Sequence, residues 1–315
     1  MPELPEVSAY LDAFRERIVG EVLQGVRLRS PSLLRTFDPP LSAAAGRTVR
    51  EVGRMGKRIV WSLDGDLHLV VHLMVTGRFH RRRPGTALPK KHAHASFDFA
   101  DASYFLTERG KQKKASLHLV QGAEALAALD PGGLEPLEAS PEAFAAALRR
   151  ENRTLKRALT DPRILSGIGN AHSDEILWQA GLSPVQRTGN LDDDELERLR
   201  VATVDGLLEW TARLAGENAG RFPEKITAFH PAMAMHGRYG EPCPRCGDPV
   251  QRIVYAERET NYCATCQTGG RLLADRAFSR LLREDWPRTL DELENHLNER
   301  RSPSVDGDPA QDAAP

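Results

Sequence analysis

Two groups of residues in this 315-residue chain have the types and spacing to do chemistry. Cys243-Pro-Arg-Cys246 and Cys263-Ala-Thr-Cys266 hold its only four cysteines, as two pairs sixteen residues apart. Two such knuckles bring four thiolates into a tetrahedron around Zn²⁺ and leave no open position for water, so one structural zinc is expected. Paired C-x-x-C spacing, with no cysteine left over, favours metal over disulfides and predicts a reducing, cytoplasmic setting. Between the knuckles, Gln251 to Tyr262 alternates and turns near Glu257-Arg258-Glu259, which predicts a β-hairpin with Arg258 at its tip. At the other end, loss of Met1 leaves Pro2 as a secondary amine. An α-amino group titrates near 8, roughly two and a half units below lysine, so a neutral fraction exists at cellular pH. Such an amine can attack a sugar C1′ and form an iminium, and the same residues also suit a plain proline-containing start to the first helix. Glu3 beside it and Glu6 one turn on supply carboxyl groups for proton transfer.

Positioning these groups requires two kinds of domain. Val7, Tyr10, Leu11, Phe14 and Ile18 recur at three- and four-residue intervals and predict a leading helix. Val26 to Arg29, Thr48 to Leu63, Leu67 to Phe79, Ala95 to Thr107 and Ser116 to Val120 are alternating or β-branched stretches separated by Gly, Pro and charged turns, and that spacing predicts a sandwich or barrel. Helices are predicted over Pro141 to Arg149, Thr154 to Leu159, Ser173 to Ala180 and Asp192 to Leu214. Gly167-Ile-Gly169-Asn170 precedes the third of these, where backbone N–H groups and the Asn170 amide suit a phosphate. Asp174 and Glu175 just beyond read as helix caps. The expected architecture is therefore α+β and multidomain. It comprises a β-sandwich domain over 1–130 and a linker at 131–140, then a helical domain at 141–235 and a zinc finger at 236–270. A helical extension at 271–301 and a disordered tail at 302–315 complete it.

Net charge of −1 argues against a nucleic-acid binder until its distribution is read. From Arg78 to Val120, ten Lys/Arg stand against Asp98, Asp101 and Glu108, which predicts a basic face. No apolar run is long enough for a membrane span, and the first residues lack the basic and apolar regions of a signal peptide.

Four separated motifs together resemble the formamidopyrimidine-DNA glycosylase and endonuclease VIII family: MPELPEV at 1–7, GRMGKRIVW at 53–61, SGIGNAHSDEILWQAGLSP at 166–184 and CPRC…RETNYCATCQ over 243–267. The resemblance implies a helix-two-turn-helix domain between sandwich and zinc finger, and damaged double-stranded DNA in the cleft. The implied activity is excision of oxidised or ring-opened bases with strand cleavage by β,δ-elimination. No nucleotide cofactor or membrane is required, and a monomer is expected. By the same resemblance Pro2 is the Schiff-base nucleophile, Glu3 the general acid, and Lys57 and Arg258 assist catalysis at phosphate. His72, His92, Arg109, Arg153 and Asn170 match DNA contacts. The chain departs from the family at two gap-filling motifs: H-L-G-M-S-G reads His72-Leu-Met74-Val75-Thr-Gly77, and R-R-F-G is replaced by Arg109-Gly-Lys-Gln. Glu217 to Met235 is also short and unlike a glycine-rich capping loop. These departures leave two other readings open: the same chemistry specialised for oxidised pyrimidines, single strands or bubbles, and a catalytically silent lesion sensor.

Overall fold

The computed structural model describes residues 1–110, 112–227, 229–255, 258–274 and 287–293, with Tyr255 and Arg258 described by their backbone alone. Helix α1 (Leu4–Ile18) opens the chain, started by the Glu6 carboxylate, which accepts the Glu3 N–H at 2.8 Å, and by a proline in its first turn. Nine strands follow: β1 (Val22–Leu23), β2 (Gly25–Leu28), β3 (Arg47–Met55), β4 (Arg58–Leu63), β5 (Leu67–His72), β6 (Gly77–Arg82), β7 (Ala93–Asp98), β8 (Ser103–Glu108) and β9 (Ser116–Gln121). They form two antiparallel sheets, ordered β1-β3-β4-β5-β9 and β2-β7-β8-β6. The predicted face of α1 packs into the sandwich, where Phe14 meets Trp61, Phe79 and Tyr104 edge-on.

Three of the β-like stretches in the sequence each hold two strands. Thr48 to Leu63 breaks at Gly56, whose positive φ closes a tight turn between Met55 and Arg58 and puts Lys57 at its tip. Leu67 to Phe79 breaks at Leu73–Thr76, where the chain leaves one sheet for the other. Ala95 to Thr107 breaks between Asp98 and Ser103, which pair across a hairpin. Apolar residues Leu73, Met74 and Val75 run through the second break, whereas Gly56-Lys57 and Asp98 to Asp101 mark the other two with turn and charged residues.

Helix α2 (Ala123–Ala127) leads to α3 (Pro141–Arg149), α4 (Leu155–Thr160), α5 (Asn170–Ala180) and α6 (Asp193–Glu217). These helices enclose a second core of Phe144, Leu148, Leu159, Leu177, Leu199 and Leu207, into which Leu4 of α1 also inserts. The chain between the domains is fastened to the sandwich: Arg54 pairs with Glu135 at 2.5 Å, and Arg58 Nη1 donates to the Leu129 carbonyl at 2.7 Å. Strands β10 (Gln251–Tyr255) and β11 (Arg258–Tyr262) make the expected hairpin, and α7 (Ala264–Thr268) follows. The expected extension is described only at 271–274 and 287–293, where Leu272, Leu273, Leu290 and Leu293 pack with Tyr262 of the finger. Its remainder, and the tail, lie outside the described residues.

The basic stretch is less of an open face than its composition predicts. Arg81 pairs with Asp101, Arg82 with Glu224 at 2.8 Å, and Arg78 Nε donates to the Ile226 carbonyl at 2.6 Å. Thus the segment after α6 is bolted along β6, with Phe222 seated between Phe14 and Tyr104. Charge counting along one stretch misses acids such as Glu224 that arrive from elsewhere in the chain.

Candidate active site at the domain junction

The start of α1 is driven into the start of α5. The Leu4 N–H donates to the Gly167 carbonyl at 2.9 Å. The buried carboxylate of Glu3 accepts N–H groups from Gly169 at 2.7 Å, Ala171 at 2.9 Å and His172 at 3.2 Å. A helix N-terminus leaves such donors unsatisfied and carries partial positive charge, so a carboxylate is its natural cap. Here that cap comes from the other domain. The two glycines make room for it: a Cβ on Gly167 would lie 2.8 Å from Leu4 Cβ, and one on Gly169 would lie 2.5 Å from Glu3 Cδ.

Asp174 and Glu175 therefore do not cap α5, contrary to the expectation from sequence. Asp174 is fully buried between Lys156 Nζ at 2.5 Å and His236 Nδ1 at 2.8 Å. Glu175 accepts the backbone N–H groups of Ala234, Met235 and His236 at 2.8–2.9 Å, fixing the entry to the zinc finger. The helix itself starts at Asn170, three residues earlier than its apolar pattern indicates, because Glu3 satisfies its first turn.

Pro2 is buried at this junction and Met1 half-buried. Burial holds the terminal amine of Met1 below its ordinary pKa, with Arg78 and Lys57 pushing the same way and Glu3 and Glu6 opposing. Lys57 Nζ donates to the Ile168 carbonyl at 2.8 Å, so the β3–β4 turn also docks on the Gly167–Asn170 loop. Asn170 Nδ2 donates to the Glu259 carbonyl of β11 at 2.8 Å, tying α5 to the finger hairpin. Pro2, Glu3, Lys57 and Asn170, far apart in sequence, thus converge on one loop. His72 ends β5 opposite Arg58; burial, then Arg58 and Lys57, lower its pKa to about 4, which leaves it neutral near pH 7.

The other expected residues stand outside that cluster. His92 and Arg109 are exposed, His92 with a left-handed backbone whose carbonyl accepts the Glu108 N–H. Arg153 pairs with Glu151 and with Asp161 and lines a separate groove with Arg157, Arg163 and Arg187. Arg258 is the first residue of β11, opposite Tyr255, and its side chain lies outside the described residues. In the loop between β5 and β6, Met74 takes a left-handed φ of 52°, while Val75 projects with 53% of its surface exposed.

His172, which the sequence did not single out, completes the junction by pairing with Glu6. His172 Nε2 lies 3.2 Å from Glu6 Oε1, both side chains buried, and Glu6 Oε2 accepts the Glu3 N–H at 2.8 Å. Burial alone would lower the pKa of His172, but the charge and hydrogen bond of Glu6 outweigh it and raise it to about 9. Burial likewise opposes ionisation of Glu6, yet His172 holds its pKa below the usual value. Both shifts are linked to stability. The raised histidine stabilises the fold fully below its unfolded pKa near 6.5 and loses that contribution as pH rises through about 9. The lowered glutamate contributes above about 4.5 and loses it on acidification. Melting temperature is therefore expected to fall between pH 7 and 10, and His172→Gln is expected to flatten that decline in a thermal-melt series. An equal alkaline decline in the variant would contradict the pairing.

The four cysteine Sγ atoms lie within 4.8 Å of one another. Cys243 and Cys266 are 4.0 Å apart and Cys246 and Cys263 3.4 Å, bracketing the roughly 3.8 Å edge of a tetrahedron with Zn–S bonds of about 2.3 Å. The donor set fits one zinc. Among the described residues no other His/Cys/Asp/Glu group is arranged for a metal, and no helix is long and apolar enough to cross a membrane.

Comparison with known proteins agrees with this layout. Residues 1–112 match the formamidopyrimidine-DNA glycosylase N-terminal domain, 133–216 the H2TH domain of the same enzymes, and 240–269 a zinc finger found in FPG and IleRS. The formamidopyrimidine-DNA glycosylase of Geobacillus kaustophilus is 35% identical over 281 residues, covering 85% of this chain and 100% of the relative. The crystal structure of the MutM (Fpg) protein of Thermus thermophilus superposes with a TM-score of 0.72 at 33% identity, covering 84% of this chain and 98% of that one. That of Lactococcus lactis Fpg, complexed with FAPY-dG containing DNA, superposes with a TM-score of 0.75 at 26% identity, covering 84% and 100%. This chain belongs to the formamidopyrimidine-DNA glycosylase family.

Proposed function

We propose that the protein is a base-excision-repair DNA glycosylase with AP lyase activity, acting as a monomer in the cytoplasm on damaged double-stranded DNA, with Pro2 as nucleophile. The observation that carries this reading is the burial of Pro2 at the domain junction, next to a Glu3 carboxylate held by the start of α5 and the loop on which Lys57 docks. A sensor that only bound DNA would have no use for a terminal amine there. Removal of Met1 moves the amine one residue deeper, to buried Pro2.

A base inside a duplex shields C1′, so the nucleotide is extruded before attack. The neutral Pro2 nitrogen then bonds to C1′ while the base leaves with the glycosidic electron pair and takes up a proton, assisted by Glu3. Ring opening gives the iminium. Loss of a C2′ proton expels the 3′ phosphate, a second elimination expels the 5′ phosphate, and water releases Pro2 from the sugar fragment. Lys57, Asn170 and Arg258 hold phosphates, with His72, His92, Arg109 and Arg153 as further DNA contacts. Zinc takes no part in these steps: bound to the four cysteines, it shapes the β10–β11 hairpin. Val75, the exposed tip of its loop, enters the gap left by the extruded nucleotide. Its small volume favours substrates whose opposite base is weakly held, which keeps the bubble and single-strand specialisation in view.

The test is borohydride trapping on a duplex carrying an abasic site. A covalent adduct is expected from the Met-processed protein. Pro2→Gly still offers a terminal amine, a primary one without the ring, so its trapping rate is expected to drop by about tenfold or more rather than vanish. DNA binding with no adduct from the native sequence would move the assignment to a silent sensor. A panel of duplex, bubble and single-stranded substrates then ranks lesion preference.

A further inference from the structure

His172 stands behind the N-terminal pocket, and the chemistry above assigns it no role. It grips both carboxylates that flank the amine: its backbone N–H reaches Glu3 Oε2 at 3.2 Å and its ring reaches Glu6 Oε1 at 3.2 Å. From α6, uncharged Trp210 meets the ring edge-on at 5.8 Å, with His230 on the far side of that indole. The charged groups facing the imidazole are Glu6 and Glu3 at the start of α1 and Glu175 on its own helix. Those facing the terminal amine of Met1, one residue before Pro2, are Glu3, Glu6, Arg78 of β6 and Lys57 of the β3–β4 turn.

An uncompensated carboxylate beside a buried amine favours the ammonium form, which has no lone pair with which to attack carbon. We propose that His172 is a positioning residue for the nucleophile: paired with Glu6 at 3.2 Å inside the junction, it offsets that carboxylate's charge and so favours the neutral form of the neighbouring amine. The inference rests on the reading of Pro2 as nucleophile. Its geometry is that of a closed pair, with both side chains almost without solvent access, so the opposing charge is little screened by water. The raised affinity of His172 for its proton, to about 9, keeps the ring charged across the range in which an amine near 8 titrates. Glu6 is left to hold the Glu3 N–H, and thereby the first turn of α1.

The experiment is the pH dependence of single-turnover borohydride trapping on an abasic duplex, for the native sequence, His172→Gln and His172→Gln/Glu6→Gln. The acid limb of the single variant is expected to move up by about one unit. Trapping at pH 6 is then about tenfold slower than native, while the rate at pH 9 is close to native. Removing the carboxylate charge as well is expected to bring the limb back, whatever the absolute rate. A single variant slowed by the same factor at every pH, or an unmoved limb in a folded variant, overturns the proposal. Should His172→Gln fail to fold, the ring is read directly in the native chain by NMR titration: an imidazolium persisting above pH 8 supports the role, and a neutral ring at pH 7 ends it. A native chain that yields no adduct at any pH removes the Pro2 reading itself, and this proposal with it, and is distinguished by that from failure of the histidine alone.

Discussion

Glu3→Gln is expected to reduce adduct formation on an abasic duplex by about a thousandfold, within the range general acid–base groups contribute. The substitution is nearly isosteric, but a glutamine has one acceptor oxygen and an NH₂ where the carboxylate has two acceptors. Three backbone N–H groups converge on Glu3, and both of its oxygens are used. An amide NH₂ turned toward Gly169 or Ala171 opposes donor to donor, and each buried N–H left unpaired costs about 1–3 kcal/mol. Two effects follow. Proton transfer at the sugar is lost, and the joint between α1 and α5 loosens, displacing Pro2 from the Lys57 turn. A melting temperature several degrees lower is expected beside the kinetic loss. Gly169→Ala separates the two, since it leaves the carboxyl group in the chain but drives a methyl into it. Trapping is expected to weaken there too. Undiminished trapping by Glu3→Gln would remove Glu3 from the chemistry.

Stripping the metal is expected to weaken binding to an abasic duplex by about a hundredfold or more, while leaving most helix intact. The finger's apolar core is split into two small clusters: Met235, Cys243, Val250 and Cys263 beside the thiolates, and Tyr262 and Ala264 with Ile253 and Leu272. In so small a module the energy of metal binding is the folding energy. Without it the β10–β11 hairpin loses its anchor, and with it the Asn170–Glu259 hydrogen bond and the Asn261 Oδ1 that accepts the Gly237 N–H at 2.8 Å. The sandwich and helical cores are separate clusters and stay folded. Circular dichroism together with a DNA-binding titration after chelation checks this, and readdition of Zn²⁺ is expected to restore affinity. Metal-free protein that binds and traps at the native rate would assign the four cysteines another purpose.

What each level of description reveals follows from the range over which the information is written. The cysteine knuckles, the spans of α1, α3 and α6 and the order of the motifs are set within a few turns of chain, by periodicity, caps and turn residues, and the sequence by itself determined them. So was the presence of a proline beside two carboxylates at the start. Only the tertiary structure decided that Glu3 caps a helix more than 160 residues away, that Glu6 is neutralised by His172, and that Asp174 and Glu175 are buried anchors rather than caps. It also decided that Lys57 and Val75 sit at the tips of turns, and that Glu224 masks part of the basic stretch. A buried, thrice-bonded carboxylate and a solvated one are the same letter in a sequence. What separates them is which distant backbone N–H groups or charges the fold brings within about 3 Å, and no local pattern encodes that.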